Sequence, residues 1–385
     1  MRLETLKLHN FRNHLHSSFE FGERTNLLVG DNGQGKTNVI EAISFLCLTK
    51  SFYAGNNNVV LNFQAQFFEI EGSVRLCDGH LDAVRIAFDR VANDKVYSVN
   101  RKDIEPFSSV IGRYPVVICS PEHAPITTGD PSERRSFLDL VLAQSDQRYV
   151  QQSIEYRRVV RHRNKLLLDA KLLRKNVEEE IVPWNEQLVK FGSRIMFLRQ
   201  EFVGEFRRYV QDGYRMLVGS EEEPSLVYVP GTRFLKAGSE EEFAAGLRNL
   251  ITDHADEERG AGSSLFGPHR DELLLTLNGR DLRKFASQGQ HKTFLVALKI
   301  AEFFYLRERH GESPIFLLDD IFSELDERRT THLLNFVSEL SQTFITSTVP
   351  ELLNGLRDRG EQDRRFVIHD GGIVSTGDQH TAAVA

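Results

Sequence analysis

Gly30-Asp31-Asn32-Gly33-Gln34-Gly35-Lys36-Thr37 decides how this chain is read. It fits the phosphate-binding loop G-x-x-x-x-G-K-[ST], with the strand pattern Asn26-Leu27-Leu28-Val29 before it and an amphipathic helical run after it. Three glycines let the backbone curl with its N–H groups inward, and the helix that follows presents its positive end to the same point. A loop of this kind cradles phosphate oxygens, so the expected ligand is a nucleoside triphosphate with Mg²⁺. Gly30, Asp31, Asn32, Gly33, Gln34 and Gly35 form the cradle. Lys36 adds a point charge at the β- and γ-phosphates, and Thr37 offers a hydroxyl to Mg²⁺. Ile40, Ile43, Leu46 and Cys47 fall on one face of the helix, which is expected to pin it to a sheet.

A second half of the site is expected far along the chain. Ile315-Phe316-Leu317-Leu318 reads as a buried strand that ends in Asp319-Asp320. Ligands of open α/β sheets sit beyond the carboxyl ends of the strands, so Asp319 is the expected Mg²⁺ ligand, through water. Asp320 is then placed to orient the water that attacks the γ-phosphate. Upstream, Ser287-Gln288-Gly289-Gln290 leads into a helix with Phe294, Leu298, Ala301 and Tyr305 on one face. Such turns are common helix caps. This turn is expected to supply a second set of γ-phosphate ligands, a reading that its place ahead of the Asp319-Asp320 strand makes much more specific.

Composition bounds the remainder. The chain has 385 residues, 40% of them hydrophobic, and a formal net charge of −7. That length suits two or three compact units, and any nucleic-acid surface has to be a local basic patch on an acidic background. Arg157, Arg158, Arg161, Arg163 and Lys165 lie in the most basic stretch, Gln151 to Lys175. A run of this kind is either a nucleic-acid surface or a solvated helix face, and residue order leaves both open. Cys47, Cys77 and Cys119 are too widely spaced for a zinc site or a disulfide framework and read as core thiols. The start at Met1-Arg2-Leu3-Glu4 carries no apolar leader, and no run of about 18 apolar residues occurs, so a cytoplasmic chain without membrane contact is expected.

The first 120 or so residues read as short strands interrupted by the P-loop helix: Leu3 to Leu8, Asn26 to Val29, Phe67 to Arg75, Ala83 to Phe88, Lys95 to Val99 and Val116 to Ile118. At Asp130-Pro131-Ser132-Glu133 a helical block begins, with Asp130 as cap, Pro131 at the first helical position and Glu133 closing a capping box. It runs to about Val218. Within it Trp184, Leu188, Phe191, Ile195, Leu198, Phe202, Phe206 and Tyr209 alternate spacings of three and four, the pattern of a seam between helices and equally of a bundle core. Strands return at Leu226 to Val229, Leu273 to Leu277, Ile315 to Leu318, Phe344 to Thr346 and Phe366 to His369, and a polar tail spans Ser375 to Ala385. The expected division is an N-terminal half of an ATPase lobe over 1–128, an inserted helical lobe with a short two-helix arm over 129–220, and a C-terminal half over 221–385.

These motifs together resemble the ATP-binding-cassette heads shared by transporters, SMC proteins and DNA-repair ATPases, and within that class the RecF family. The likeness covers nearly the whole chain. It rests on Leu6-Lys7-Leu8-His9-Asn10-Phe11-Arg12-Asn13, the P-loop with Glu41-Ala42-Ile43, Ser120-Pro121-Glu122, Arg134-Arg135 with Phe137-Leu138-Asp139, Gly267-Pro268-His269-Arg270-Asp271, Ser287-Gln288-Gly289-Gln290, and Leu317-Leu318-Asp319-Asp320 with Ser323-Glu324-Leu325-Asp326. Tyr53, His123 and Lys292 depart from that family's usual residues. The fold implied is α/β, an ABC-type P-loop head with mixed β-sheets around the P-loop helix and an inserted α-helical lobe bearing a short coiled-coil-like arm.

The resemblance further implies ATP and Mg²⁺ as cofactors and a site shared between two chains. The signature turn of one copy, Ser287, Gly289 and Gln290, closes over the nucleotide held by the other copy's P-loop, giving an ATP-dependent C₂ homodimer. Lys36, Ser287 and Asp320 are then the catalytic set, Arg12 a nucleotide sensor and Asp326 a cross-interface contact. Asp320 stands where most cassette relatives have Glu, and Thr346-Ser347-Thr348 stands where transporters often have His. Both point to a weak, DNA-stimulated ATPase that resets a switch. The implied partners are DNA at single-strand gaps and duplex junctions, RecO and RecR, and RecA indirectly, with Arg157, Arg158, Arg161, Arg163 and Lys165 as the DNA contacts. An SMC- or Rad50-like tether would need a far longer heptad arm, often with a C-x-x-C hook. A transporter ATPase fits the motif set poorly, and the short stretch after Asp326 leaves little room for a nuclease domain.

Overall fold

The computed structural model describes residues 1–52, 57–218, 222–231, 238–322, 325–340, 342–348 and 362–377. Tyr53 and the Ser323-Glu324 pair lie outside these residues, as does the tail beyond Gly377. In chain order, β1 (Arg2–Phe11), β2 (His14–Glu20) and β3 (Thr25–Val29) lead into α1 (Lys36–Leu48) and the single turn α2 (Asn57–Val60). Next come β4 (Phe67–Arg75), β5 (Leu81–Asp89), β6 (Asp94–Val99), β7 (Lys102–Asp103) and β8 (Val116–Cys119). Helices α3 (Pro125–Thr128), α4 (Pro131–Ser145), α5 (Gln147–Leu173) and α6 (Glu178–Val218) follow. Then β9 (Pro224–Val229), α7 (Glu240–Asp253), α8 (Ala255–Ala261), β10 (Glu272–Leu277), β11 (Arg280–Asp281) and α9 (Leu282–Phe285) precede α10 (Gln288–His310). The chain ends with β12 (Ile315–Asp319), α11 (Glu327–Glu339), β13 (Thr343–Ser347), β14 (Arg364–His369) and β15 (Gly372–Gly377).

The chain divides into two compact units, at boundaries other than those expected. The first comprises Met1–Ala124, Asp212–Glu222 and Ser287–Ala385; the second comprises Pro125–Gln211 and Glu223–Ala286. The stretch assigned from sequence to the C-terminal ATPase half therefore splits. Residues 223–286 pack with the helical block, because β9, β10 and β11 form a separate three-stranded sheet. The first unit takes back Asp212–Glu222 and then resumes at Ser287.

In the first unit two six-stranded sheets are formed. One is antiparallel in the order β2-β1-β4-β5-β6-β7. The other runs β15-β14-β3-β13-β12-β8, parallel except for the edge strand β15. Helix α1 touches strands of both. It is accordingly buried on more than the one face expected: Val39, Ala42 and Phe45 are as enclosed as Ile40, Ile43, Leu46 and Cys47. Phe45 meets Phe11 of β1 and Phe68 of β4 edge-on, with ring centroids 6.2 and 5.7 Å away. Aromatic anchors of this size cost about 3–5 kcal/mol when truncated to Ala, so the P-loop helix is held rigidly.

Among the described residues, four strands carry no clear sequence signal: the two-residue β7 and β11, and the longer β2 and β15. β2 buries His14 and Ser17, polar residues that break the apolar alternation, and β15 falls partly in the stretch expected to be a polar tail. Cys47 and Cys119 are buried, but Cys77 is exposed and its Sγ accepts from the Met1 amine at 3.0 Å, so only two of the three cysteines are core thiols.

In the second unit Asp130 stands at the N-cap of α4 with Pro131 behind it, although its side chain makes no capping hydrogen bond. The α6 pattern is a true packing face, with Leu188, Ile195, Phe202, Phe206 and Tyr209 buried. His162 of α5 stacks on Trp184 of α6 at 4.6 Å between centroids, and α5 also packs along α8.

Candidate nucleotide-binding site

Strand β3 is buried throughout and ends at Val29, one residue before Gly30. A Cβ there would sit 2.3 Å from the Ile368 carbonyl oxygen, so only glycine lets the loop leave the sheet at this point. Asp31, Asn32 and Gly33 are exposed, and the loop closes at Gly35, whose φ of 109° is open to glycine alone. Lys36 Nζ donates to the carbonyls of Gly30 and Asp31 at 2.7 and 2.8 Å. Burial lowers the lysine pKa, while the charges of Asp320, Asp319 and Asp31 oppose that shift. The turns at Asn13-His14 and Asp370-Gly371 support the loop. Asn38 Nδ2 donates to Asn13 Oδ1 at 2.7 Å, and the Asp370 N–H donates to Gln34 Oε1 at 2.6 Å.

Strand β12 delivers the carboxylate. Asp319, 2% exposed, accepts from Thr37 Oγ1 at 2.8 Å and from Thr346 Oγ1 at 2.7 Å, both at Oδ1. Strand β13 lies between β3 and β12, with Thr346 in register with Asp319 and Ser347 in register with Val29. Thr346 also accepts the Asp320 N–H at 2.9 Å. Asp320 itself adopts φ +50°, which breaks the strand one residue after the buried Asp319 and leaves its carboxylate half-buried. In sequence Thr346 is marked only by standing where transporters often have a histidine; in the structure its hydroxyl connects the Asp319 carboxylate with the Asp320 backbone. A hydroxyl and a carboxylate are hard oxygen donors, and Mg²⁺ takes one or two such protein ligands alongside phosphate oxygens. Thr37 and Asp319 fit that requirement.

Arg12 pairs with a buried carboxylate of α1. Its Nε and Nη2 each donate to the Glu41 carboxylate at 2.8 Å, and Nη1 donates to the Val59 carbonyl at 3.0 Å. Glu41 is buried and also accepts from Ser51. Arg12 thus ties α1 to the end of β1 with φ +54°. His123, one of the family departures, has a ring nitrogen 2.9 Å from Ser120 Oγ and lies parallel to Phe52.

The signature turn is built as a capping box. Ser287 caps α10 by accepting the Gln290 N–H at 3.3 Å, and Gln290 Oε1 accepts the Ser287 N–H at 2.8 Å. Gln290 Nε2 donates to Glu222 at 2.6 Å, and Ser287 is exposed. Asp326 caps α11 and holds Arg329 at 2.6 Å, and a Cβ on Gly289 would be 3.7 Å from Arg329 Nη1. The signature turn and the Asp326 turn therefore share one neighbourhood, whereas the P-loop is tied to Asn13, Asp319 and Asp370.

The family model described as RecF/RecN/SMC N terminal domain matches residues 2–360. The DNA replication and repair protein RecF of Chloroherpeton thalassium is 39% identical over 351 residues, 90% of this chain and 95% of that protein. The chain belongs to the RecF family. The RecF of Salinibacter ruber is 37% identical over 90% of this chain and 85% of its own length. A solved structure described as the recombination mediator protein RecF with ATP in the RecFOR pathway superposes with a TM-score of 0.88, at 30% identity and 97% coverage of both chains. An Smc head from Pyrococcus furiosus, 15% identical with a TM-score of 0.57, shares the fold. As expected, then, the architecture is an ABC/SMC-type head with mixed sheets and a helical lobe.

In this RecF-family chain the second unit gathers motif residues that sequence left scattered. Arg199 of α6 donates to Asp139 at 2.7 Å, to Asp271 at 3.2 Å and to the Pro268 carbonyl at 2.7 Å. Asp271 also accepts from Tyr228 and, at 2.9 Å, from the Gly231 N–H, while Arg134 makes a two-pronged pair with Glu272 at 2.8 Å. Arg199 was not singled out by sequence, because a lone Arg on a helix carries no signal of burial. Removing one partner from such a cluster costs about 3–5 kcal/mol.

Of the basic residues on α5, Arg157, Arg158, Arg161 and Lys165 are exposed at helical spacings of one, three and four. Arg163 is not part of that surface. It is 2% exposed and paired with Glu258, with Nε donating to Asn185 at 2.7 Å and Nη1 to Ser264 at 2.9 Å. Its position on the inner face of α5 assigns it to packing, which corrects the sequence expectation. Among the described residues no helix is long and apolar enough to cross a membrane.

Proposed function

We propose that this chain is an ATP-switched DNA-binding protein of recombinational repair and replication, acting in the cytoplasm with RecO and RecR to help load RecA at single-strand gaps and duplex junctions. The observation that carries the nucleotide part is the hydrogen bond from Thr37 to Asp319, which links the P-loop to the end of β12. In this reading the loop N–H groups and Lys36 bind the phosphates, and Thr37 and Asp319 hold Mg²⁺, which supplies charge neutralisation at the phosphates. Asp320 orients the attacking water. Ser287, Gly289 and Gln290 belong to a partner copy's nucleotide, so ATP joins two chains and slow hydrolysis releases them. Arg12 acts on the nucleotide through α1 and Glu41, and Asp326 relays closure across the interface. DNA binding rests on Arg157, Arg158, Arg161 and Lys165 and is expected to be sequence-tolerant and steeply salt-dependent.

The test is the mass in solution of the parent, Lys36→Ala and Ser287→Arg with ADP, with ATP, and with ATP plus gapped DNA. Dimers are expected only for the parent with ATP, and more of them with DNA. Normal dimerisation of Ser287→Arg would overturn the shared site.

A further inference from the structure

Two consecutive carbonyls of the P-loop are held from the side opposite the phosphate cradle. Asn13 Nδ2 and the Gly371 N–H both donate to the Gln34 carbonyl, at 3.0 and 2.9 Å. His14 Nε2 lies 3.0 Å from the Gly35 carbonyl oxygen, which also receives the first helical N–H groups, from Asn38 and Val39. A carbonyl oxygen only accepts, so this contact requires the ring proton on Nε2. The ring is fully buried and fixed at its other nitrogen, 2.9 Å from Ser17 Oγ; Ser17 in turn donates to the Gly371 carbonyl at 2.8 Å.

The peptide unit is planar and trans, so each carbonyl points opposite to the N–H of the next residue. Holding the Gln34 carbonyl toward Asn13 and Gly371 turns the Gly35 N–H the other way. Holding the Gly35 carbonyl toward His14 does the same for the Lys36 N–H. Successive N–H groups turned to one side make an anion-binding nest. The fit is close: a Cβ on Gly35 would lie 2.6 Å from Asn13 Oδ1 and 2.9 Å from His14 Nε2. The bracket therefore touches the loop backbone itself and depends on Gly35 for its approach.

We propose that Asn13 and His14 are positioning residues of the nucleotide site, which set the affinity for the phosphate chain by aiming the Gly35 and Lys36 N–H groups into the cradle. This rests on reading the P-loop as a nucleotide site. It does not depend on the shared dimer site, because the nest belongs to one chain. It follows that ADP and ATP are affected alike, since the nest grips phosphates common to both.

The experiment is titration of fluorescent ADP and ATP, with Mg²⁺, into the full chain and into His14→Phe, His14→Gln and Asn13→Ala. His14→Phe keeps a planar ring and removes the donor; affinity for both nucleotides is expected to fall about tenfold. His14→Gln can return an amide N–H to the Gly35 carbonyl and is expected to recover to within about threefold of the parent. A purely space-filling His14 would give the reverse order, and that result, or a His14→Phe that binds like the parent, overturns the proposal. Should His14→Phe fail to fold, Asn13→Ala at a half-buried position decides: unchanged affinity overturns the proposal, and a loss of about fivefold supports it. A parent that binds neither nucleotide removes the nucleotide reading together with this one, whereas a parent that binds and variants that match it remove this one alone.

Discussion

Thr37 and Asp319 are 282 positions apart and joined by a 2.8 Å hydrogen bond, over a strand that belongs to neither. The P-loop follows β3, the aspartate ends β12, and β13 lies between them with Thr346 bonded to the same carboxylate oxygen. Three chain segments thus converge on one buried oxygen.

That convergence makes Thr346 testable. Thr346→Val keeps the shape and removes the hydroxyl that serves Asp319 and the Asp320 N–H. Urea unfolding is expected to show a loss of about 1–2 kcal/mol. Affinity for ATP with Mg²⁺ should fall more than affinity for ATP in chelator, because the carboxylate proposed to hold the metal loses its orientation. Equal losses in both conditions would contradict this role.

Asp320 is expected to act in the chemical step alone. Asp320→Asn should lower ATP hydrolysis by about 100-fold or more, the usual yield of a positioned general base, while ATP-driven dimers persist and live longer. Loss of dimers on light scattering would place Asp320 in binding instead.

On α5, single replacements of Arg157, Arg158, Arg161 or Lys165 by Gln should weaken DNA binding evenly across sequences. Each should flatten the slope of log affinity against log salt by about one. Arg163→Leu should behave differently, costing about 3–5 kcal/mol of stability by stranding Glu258, with no change in salt slope for protein that remains folded. Identical behaviour of Arg163 and Arg161 would refute the division of the helix into two faces.

His269 supplies a pH dependence. Its ring nitrogens lie 2.6 Å from Tyr156 Oη and 3.1 Å from the Ser264 carbonyl, and burial pushes its pKa down to about 4. The unfolded chain takes up this proton near the ordinary value of about 6.5, so the folded state holds fewer protons between those limits. Stability is therefore full above about pH 6.5 and falls as pH drops toward 4, by up to about 3 kcal/mol from this group. His14 and His123 are shifted in the same direction by burial, so the parent should lose stability more steeply than one group requires. In denaturant midpoints taken between pH 7 and 5, His269→Gln should flatten the slope by up to about 1.4 kcal/mol per pH unit. An unchanged slope would show that this ring is not buried neutral.

Much of the fold was legible because its signals are local. The P-loop is an uninterrupted run with its strand and helix attached, and Ile315-Phe316-Leu317-Leu318 before Asp319 reads as a buried strand by itself. β2 was not, since a buried histidine and serine satisfied by hydrogen bonds to Gly35 and Gly371 look like loop residues in sequence. The ownership of residues 223–286 was equally hidden, because the pattern of β9 does not say which of the three sheets it joins.

Sequence alone determined the chemistry that the site can hold: glycines where φ is positive, a lysine and threonine at the helix start, an aspartate at a strand end. Those depend on residue type and on spacing of a few positions, which a linear pattern contains. Only the tertiary structure decided which groups support them, that Thr346 spans two aspartates, that Asn13 and His14 reach the P-loop carbonyls, and that Arg163 turns inward to Glu258. Each is a contact between residues far apart in the chain or a choice of helix face, and both are set by how the sheets and helices pack.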